Sequence, residues 1–356
     1  MPPPLSIHST MTTTNEGMSV MHENKTHTLS KGVTLLALVA TTPAAALDIS
    51  FYGSLRIQGE YVSPDNEAAL ESYTGFRDAY SRIGVNFEHA FNDAVTGYAR
   101  LELPLDIANL AVQDPWDQDE DIRIGKVGLK GKFGDIAVGQ MWLPYYNAIA
   151  YPVDMFSSYY SGFATYTSFR KGDTVTYYSP TFNGFGFGAA FSKDNGWTVE
   201  DDRIQATISY KLDNLTLAGG LDDLGGDDDV RIWGASAAWQ ATDQIYIGAK
   251  VERFESDIPS GYGVDGDIAA NLYGGYTMGK HTFKGMIAQV DNYGETIAHL
   301  GYDFQYNKDL KFFAEYYYEE ETAAITTERG GAAETCWTCS GGNVFAVGLR
   351  FDFSAP

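Results

Sequence analysis

The stretch Ala79 to Glu102, AYSRIGVNFEHAFNDAVTGYARLE, alternates apolar and polar positions in two runs joined by a short polar turn. In the first run Ile83, Val85 and Phe87 oppose Arg82, Asn86 and Glu88. In the second, Val95, Ala99, Leu101 and Leu103 oppose Thr96, Tyr98, Arg100 and Glu102. Side chains on a strand alternate with a period of two, so each run predicts a strand that separates an apolar from a charged environment. About sixteen such segments follow Leu47, most of them roughly nine to twelve residues long, the length a tilted strand needs to cross a bilayer. They span 48–61, 79–91, 94–106, 121–131, 134–142, 173–179, 184–192 and 203–211, then 214–223, 230–240, 244–254, 267–277, 281–291, 296–306, 310–320 and 343–353.

The gaps between these segments sort by length. Gaps 91–93, 132–133, 180–183, 212–213, 241–243, 278–280 and 307–309 are tight. Between them fall longer acidic or glycine-rich gaps at 62–78, 107–120, 143–172, 255–266 and 321–342, with 292–295 the short member of that set. A soluble sandwich has no reason to sort its loops in this way. A membrane barrel with tight turns at one end and long loops at the other does, and it implies an even strand number. The expectation is therefore all-β, a closed transmembrane antiparallel β-barrel, because a spanning structure without apolar helices must satisfy every backbone group between strands.

Composition sharpens this picture. With 38 Gly, 24 Tyr and 20 Phe in 356 residues, the chain favours strands and turns over helices. Aromatics such as Phe51, Tyr52, Tyr61, Trp142, Phe185, Tyr210, Trp233, Trp239 and Phe304 gather near strand ends, as interfacial girdles do. At the N-terminus, Lys25 and Lys31 precede the apolar run 32–40, GVTLLALVA, and then Ala44-Ala45-Ala46. This predicts a secretory signal peptide over 1–46, with Met18 or Met21 as the true start, and a barrel over 47–356. A membrane anchor is the alternative, but the run falls short of the about 20 apolar residues that a spanning helix needs. The net charge of −23 argues against nucleic acid as a partner and favours small cations.

No catalytic, cofactor or metal constellation stands out. Beyond residue 46 the histidines are His89, His281 and His299, with no Ser-His or Cys-His arrangement, and LGGDDDV (224–230) lacks the ligand spacing of an EF-hand. Cys336 and Cys339 form CWTC in the last long gap, in oxidising surroundings. A local disulfide is the expectation, with free thiols or a zinc site needing two further ligands as alternatives.

Five stretches in order give the chain a family likeness: FYGSLRIQGEY (51–61), SRIGVNF with GYARLE (81–102), VGLKGKFGDIAVGQ (127–140), FRKGDTVTYYSPTFNGF (169–185) and VGLRFDF (347–353). Together they resemble the general porins of Gram-negative outer membranes. The resemblance implies a homotrimer of sixteen-stranded channels embedded in outer-membrane lipid and lipopolysaccharide, with a long third loop folded into the lumen opposite a ladder of arginines.

Carried over by motif, the third loop corresponds to 143–172, and the arginines of the pore constriction are Arg82, Arg123 and Arg170. Face adds Arg56 and Arg100, and Asp154 is the acid of the loop. Gln140 stands where the family often has arginine, and Ser54 where it often has a basic residue. The implied activity is passive diffusion of small hydrophilic solutes and ions, without enzyme chemistry or cofactor and with a weak cation preference set by the acidic loops. An alternative is a specific sugar or oligosaccharide channel in which Trp142, Tyr151, Phe156, Tyr159 and Tyr160 stack on the solute. An outer-membrane adhesin or a soluble secreted β-protein is more distant.

Overall fold

A computed structural model describes residues 47–356 other than 69, 117–119, 162–163, 197–200, 258–262, 293, 322–323 and 326–339. In the first half the strands are β1 (Asp48–Pro64), β2 (Tyr73–Asp78), β3 (Ser81–Asn92), β4 (Val95–Leu105), β5 (Ile124–Gly131), β6 (Gly134–Trp142), β7 (Arg170–Tyr178), β8 (Phe185–Ser192) and β9 (Arg203–Leu212). In the second half they are β10 (Leu215–Asp223), β11 (Arg231–Gln240), β12 (Ile245–Glu255), β13 (Ile268–Met278), β14 (His281–Val290), β15 (Glu295–Gln305), β16 (Leu310–Glu321) and β17 (Ser340–Ala355). From β3 on each pairs antiparallel with its neighbour in the chain, and β1 closes on β17 from Phe51↔Ala355 to Pro64↔Gly342. Closure leaves no edge, which is the condition for a sheet to sit in lipid.

The barrel has sixteen staves although it contains seventeen strands, because β2 and β3 are two pieces of one stave. Both pair with β1, β2 over Ile57–Val62 and β3 over Asp48–Ser54. The stave breaks at Ala79–Tyr80, where Tyr80 takes a positive φ of 67°. Ser81 bridges the break: Arg56 N–H donates to its Oγ at 2.7 Å, and its own N–H donates to Asp78 Oδ1 at 2.7 Å. The sequence assigned 62–78 wholly to a loop. The break inserts an odd step, so Arg77 and Arg82 both point inward at odd spacing, and the alternation that marks a strand does not run through.

Elsewhere the alternation becomes two environments. Ile83, Leu101, Val127, Ile208, Leu272, Leu300, Phe345 and Val347 are exposed on the outside. Ser54, Arg56, Gln58, Glu60, Glu102, Lys250, Glu252 and Glu315 are buried inside. The final strand continues past Phe353, with Ala355 still paired to Phe51.

The interior also holds an apolar core. Val62, Ile232, Phe254, Ala269, Ala288, Val290, Ile297, Tyr317 and Val344, on the inner face at the loop ends of β1 and β11–β17, pack with Tyr145, Ile149, Tyr159, Tyr160, Ala164 and Tyr166 of the connection between β6 and β7.

Candidate functional site

Two features of the inner wall stand out, a cluster of arginines and a set of ion-paired carboxylates that grip the β6–β7 connection (residues 143–169). The arginines come from neighbouring staves. Glu102 on β4 receives Arg123 Nη1 at 2.6 Å and Arg100 Nη2 at 2.8 Å, with Arg82 Nε at 4.0 Å. Arg170 at the start of β7 pairs with Asp114 at 3.2 Å and with Glu120. Arg350 on β17 pairs with Asp352 at 2.8 Å. Arg56 on β1 donates its Nε–H to Ser54 Oγ at 2.8 Å and has no ion pair among the described residues. Trp142 lies beneath Arg123 and Arg170, at 5.1 and 4.9 Å from its ring, and its indole stacks on Tyr146 at 4.3 Å.

The β6–β7 connection begins with a π-helical turn, Tyr146–Ala150, and a 3-10 turn, Tyr151–Val153. Asp154 follows. Its carboxylate accepts the Tyr146 hydroxyl at 2.6 Å, and the charges of Arg56, Arg123 and Arg82 all act on it. Burial pushes the Asp154 carboxyl up from its ordinary range, against the pull of those arginines and of the Tyr146 hydrogen bond.

The rest of the connection is held by inward side chains from strands around the barrel. Tyr145 N–H donates to Gln205 on β9 at 3.0 Å, and Tyr159 N–H donates to Gln58 on β1 at 2.8 Å. Ser157 and Ser158 N–H both donate to the Glu315 carboxylate on β16, at 2.8 and 2.9 Å. Thr165 Oγ1–H and Tyr166 N–H donate to Glu252 on β12 at 2.8 and 3.0 Å, and Thr167 Oγ1–H donates to Asp222 on β10 at 2.6 Å. The Tyr160 hydroxyl donates to Glu60 at 3.2 Å.

Each of these acids carries a cation as well. Lys250 lies 3.0 Å from Glu252, Lys284 2.9 Å from Glu315, Arg77 2.9 Å from Glu60, and Arg203 Nε–H donates to Asp222 at 2.7 Å. A buried carboxylate is costly alone. Paired with a cation and filled with loop N–H and hydroxyl donors, it satisfies both the wall and a connection with few partners of its own.

One contact admits no side chain. A Cβ on Gly248 would lie 2.1 Å from Pro152 O. Gly248→Val is therefore expected to push the 151–153 turn off β12 toward the lumen and to lower single-channel conductance, with barrel assembly on gels kept; an unchanged conductance would show that this turn does not border the passage.

Arg82, Arg100 and Arg123 thus converge on one acid, Arg170 stands beside them, and Arg56 and Asp154 face each other electrostatically. The five rings expected to form a stacking track divide. Phe156 stacks on His299 at 3.6 Å, Tyr159 lies under Arg77 at 4.3 Å, and Tyr160 stacks on Tyr317 at 5.3 Å. All three are buried, so their faces are taken by the wall; Tyr151 is the exposed ring, and Trp142 is covered by Tyr146 and the two arginines. Cys336 and Cys339 lie outside the described residues.

Sequence reasoning missed Arg77, Arg203, Arg350, Lys250 and Lys284. The signal was present, since Lys250 with Glu252 and Arg350 with Asp352 are opposite charges two apart on the inward face.

The profile of the Gram-negative porins matches residues 32–324. A monosaccharide porin of a Halomonas species is 26% identical over 300 residues, covering 74% of this chain and 77% of its own. The major outer membrane protein of Halomonas elongata matches to the same extent. Among solved structures, Salmonella typhi OmpF in complex with daunomycin superposes with a TM-score of 0.63 at 17% identity, over 86% of this chain and 97% of that one. The anion-selective porin from Comamonas acidovorans gives a TM-score of 0.62 at 15% identity, over 86% and 100%. These structural likenesses carry the fold, and the profile match carries the kinship: the chain belongs to the Gram-negative porins, non-enzymatic β-barrel channels of the outer membrane.

Proposed function

We propose that the protein is a homotrimeric diffusion channel in which residues 143–169 lie across the lumen and confine small hydrophilic solutes and ions to a passage between the arginine wall and Asp154. The observation that carries this reading is the docking of the connection on inward side chains of β1, β9, β10, β12 and β16, with Asp154 in the field of Arg56, Arg82 and Arg123. Opposed charges across a narrow passage create a transverse field that orders water and disfavours apolar solutes, without chemistry or cofactor. The acidic loop ends concentrate cations at one mouth and give a weak cation preference in dilute salt.

A second reading, passage of monosaccharides, is favoured by the Halomonas relative described as a monosaccharide porin and by the exposed ring of Tyr151. The mature protein in a planar bilayer under a KCl gradient tests both. Current steps in groups of three support a trimeric channel, and saturable block by a monosaccharide supports the second reading. Absence of conductance would overturn both.

A further inference from the structure

Two sets of charges lie in series along the proposed passage, and they differ in sign and in surroundings. At the loop end, acids outnumber bases: the β10–β11 connection alone carries Asp227, Asp228 and Asp229 in solvent-accessible positions. On the inner wall, six arginines, Arg56, Arg82, Arg100, Arg123, Arg170 and Arg350, are set among five carboxylates, those of Glu102, Asp114, Glu120, Asp154 and Asp352.

Five of the arginines lie within 4.0 Å of a carboxylate. The exception is Arg56, held by a hydroxyl, repelled by Arg82, Arg350 and Arg123, and attracted by Asp352 and Asp154 without an ion pair to either. It is 9% exposed, so its charge sits in the wall with little water around it.

Salt acts unequally on the two sets. The screening length is about 10 Å in 0.1 M salt and about 3 Å in 1 M, so the loop acids reach a passing ion only in dilute solution. A partly buried charge beside a narrow passage is screened much less, because few counterions can come between it and the ion going by. We infer that Arg56 is a specificity-determining residue that makes the channel's ion preference change sign with ionic strength, from cations in dilute salt to anions in concentrated salt. This rests on the channel reading above.

The test uses the full mature barrel in planar bilayers, with reversal potentials measured in KCl gradients centred well below and well above about 0.1 M. The potassium-to-chloride permeability ratio is expected to fall through one between the two regimes for the native chain and for Arg56→Lys, and to stay at or above one in both for Arg56→Gln. A native ratio that keeps one sign in both regimes overturns the inference, as does an Arg56→Gln channel that still crosses. Loss of all conductance in the native protein would instead overturn the channel reading itself.

Discussion

A Glu315→Ala barrel is expected to be less stable than the native one by about 3–5 kcal/mol, the usual cost of breaking a buried ion pair, and to carry a larger and noisier single-channel current. Glu315 gathers three donors, the N–H groups of Ser157 and Ser158 and Lys284 Nζ at 2.9 Å, with the His299 ring beside it at 3.2 Å. Removing the carboxylate leaves two backbone donors without that acceptor and Lys284 with Asp303 at 3.0 Å and the Met155 carbonyl at 3.4 Å. Phe156, stacked on His299, then loses the frame that holds it. Denaturant titration with single-channel recording checks both effects. Glu315→Gln keeps an acceptor in place and is expected to fall between the two. If Glu315→Ala matched the native protein in stability and current, the docking of residues 157 and 158 would have no bearing on the passage.

Asp154→Asn is expected to move the reversal potential toward anions at every salt concentration, because it removes the acid that opposes Arg56, Arg82 and Arg123. The native protein contains its own version of this experiment. Burial raises the Asp154 carboxyl, so the group takes up a proton as pH falls at a higher pH than an exposed aspartate would. Below that point the native channel is expected to approach the anion preference of Asp154→Asn, while the variant shows no change over the same range. Reversal potentials measured from neutral to acidic pH in both proteins check this. Parallel pH profiles would remove Asp154 from the selective part of the passage.

Much of the barrel was legible because lipid outside and water inside impose the simplest of patterns. β6 reads as 134–142 from alternation and occurs as Gly134–Trp142, and the faces assigned to Arg82, Arg100 and Glu102 hold. What was not legible depends on partners far apart in the chain. Tyr160 and Glu60 are 100 residues apart, and Ser157 and Glu315 are 158 apart, so no local pattern marks them. The interior apolar core was hidden for a related reason. Val344 and Ala346 alternate with Phe345 and Val347, and such a run, apolar on both faces, signals burial on both sides without naming what covers the inner one. The aromatic richness of residues 145–166 was plain, but a sequence does not say which ring faces are already covered.

The interior core bears on how the molecule is assembled. Residues 157–160 bond to Glu315 on β16 and to Gln58 and Glu60 on β1, the two strands that flank β17. The ladder between β1 and β17 joins the two ends of the chain and is the most distant pairing in sequence, so its loop-closure entropy is the largest to overcome. A connection that already holds both flanking strands shortens that search. Interior packing therefore favours barrel closure, with the middle of the chain serving as a template on which its two ends meet.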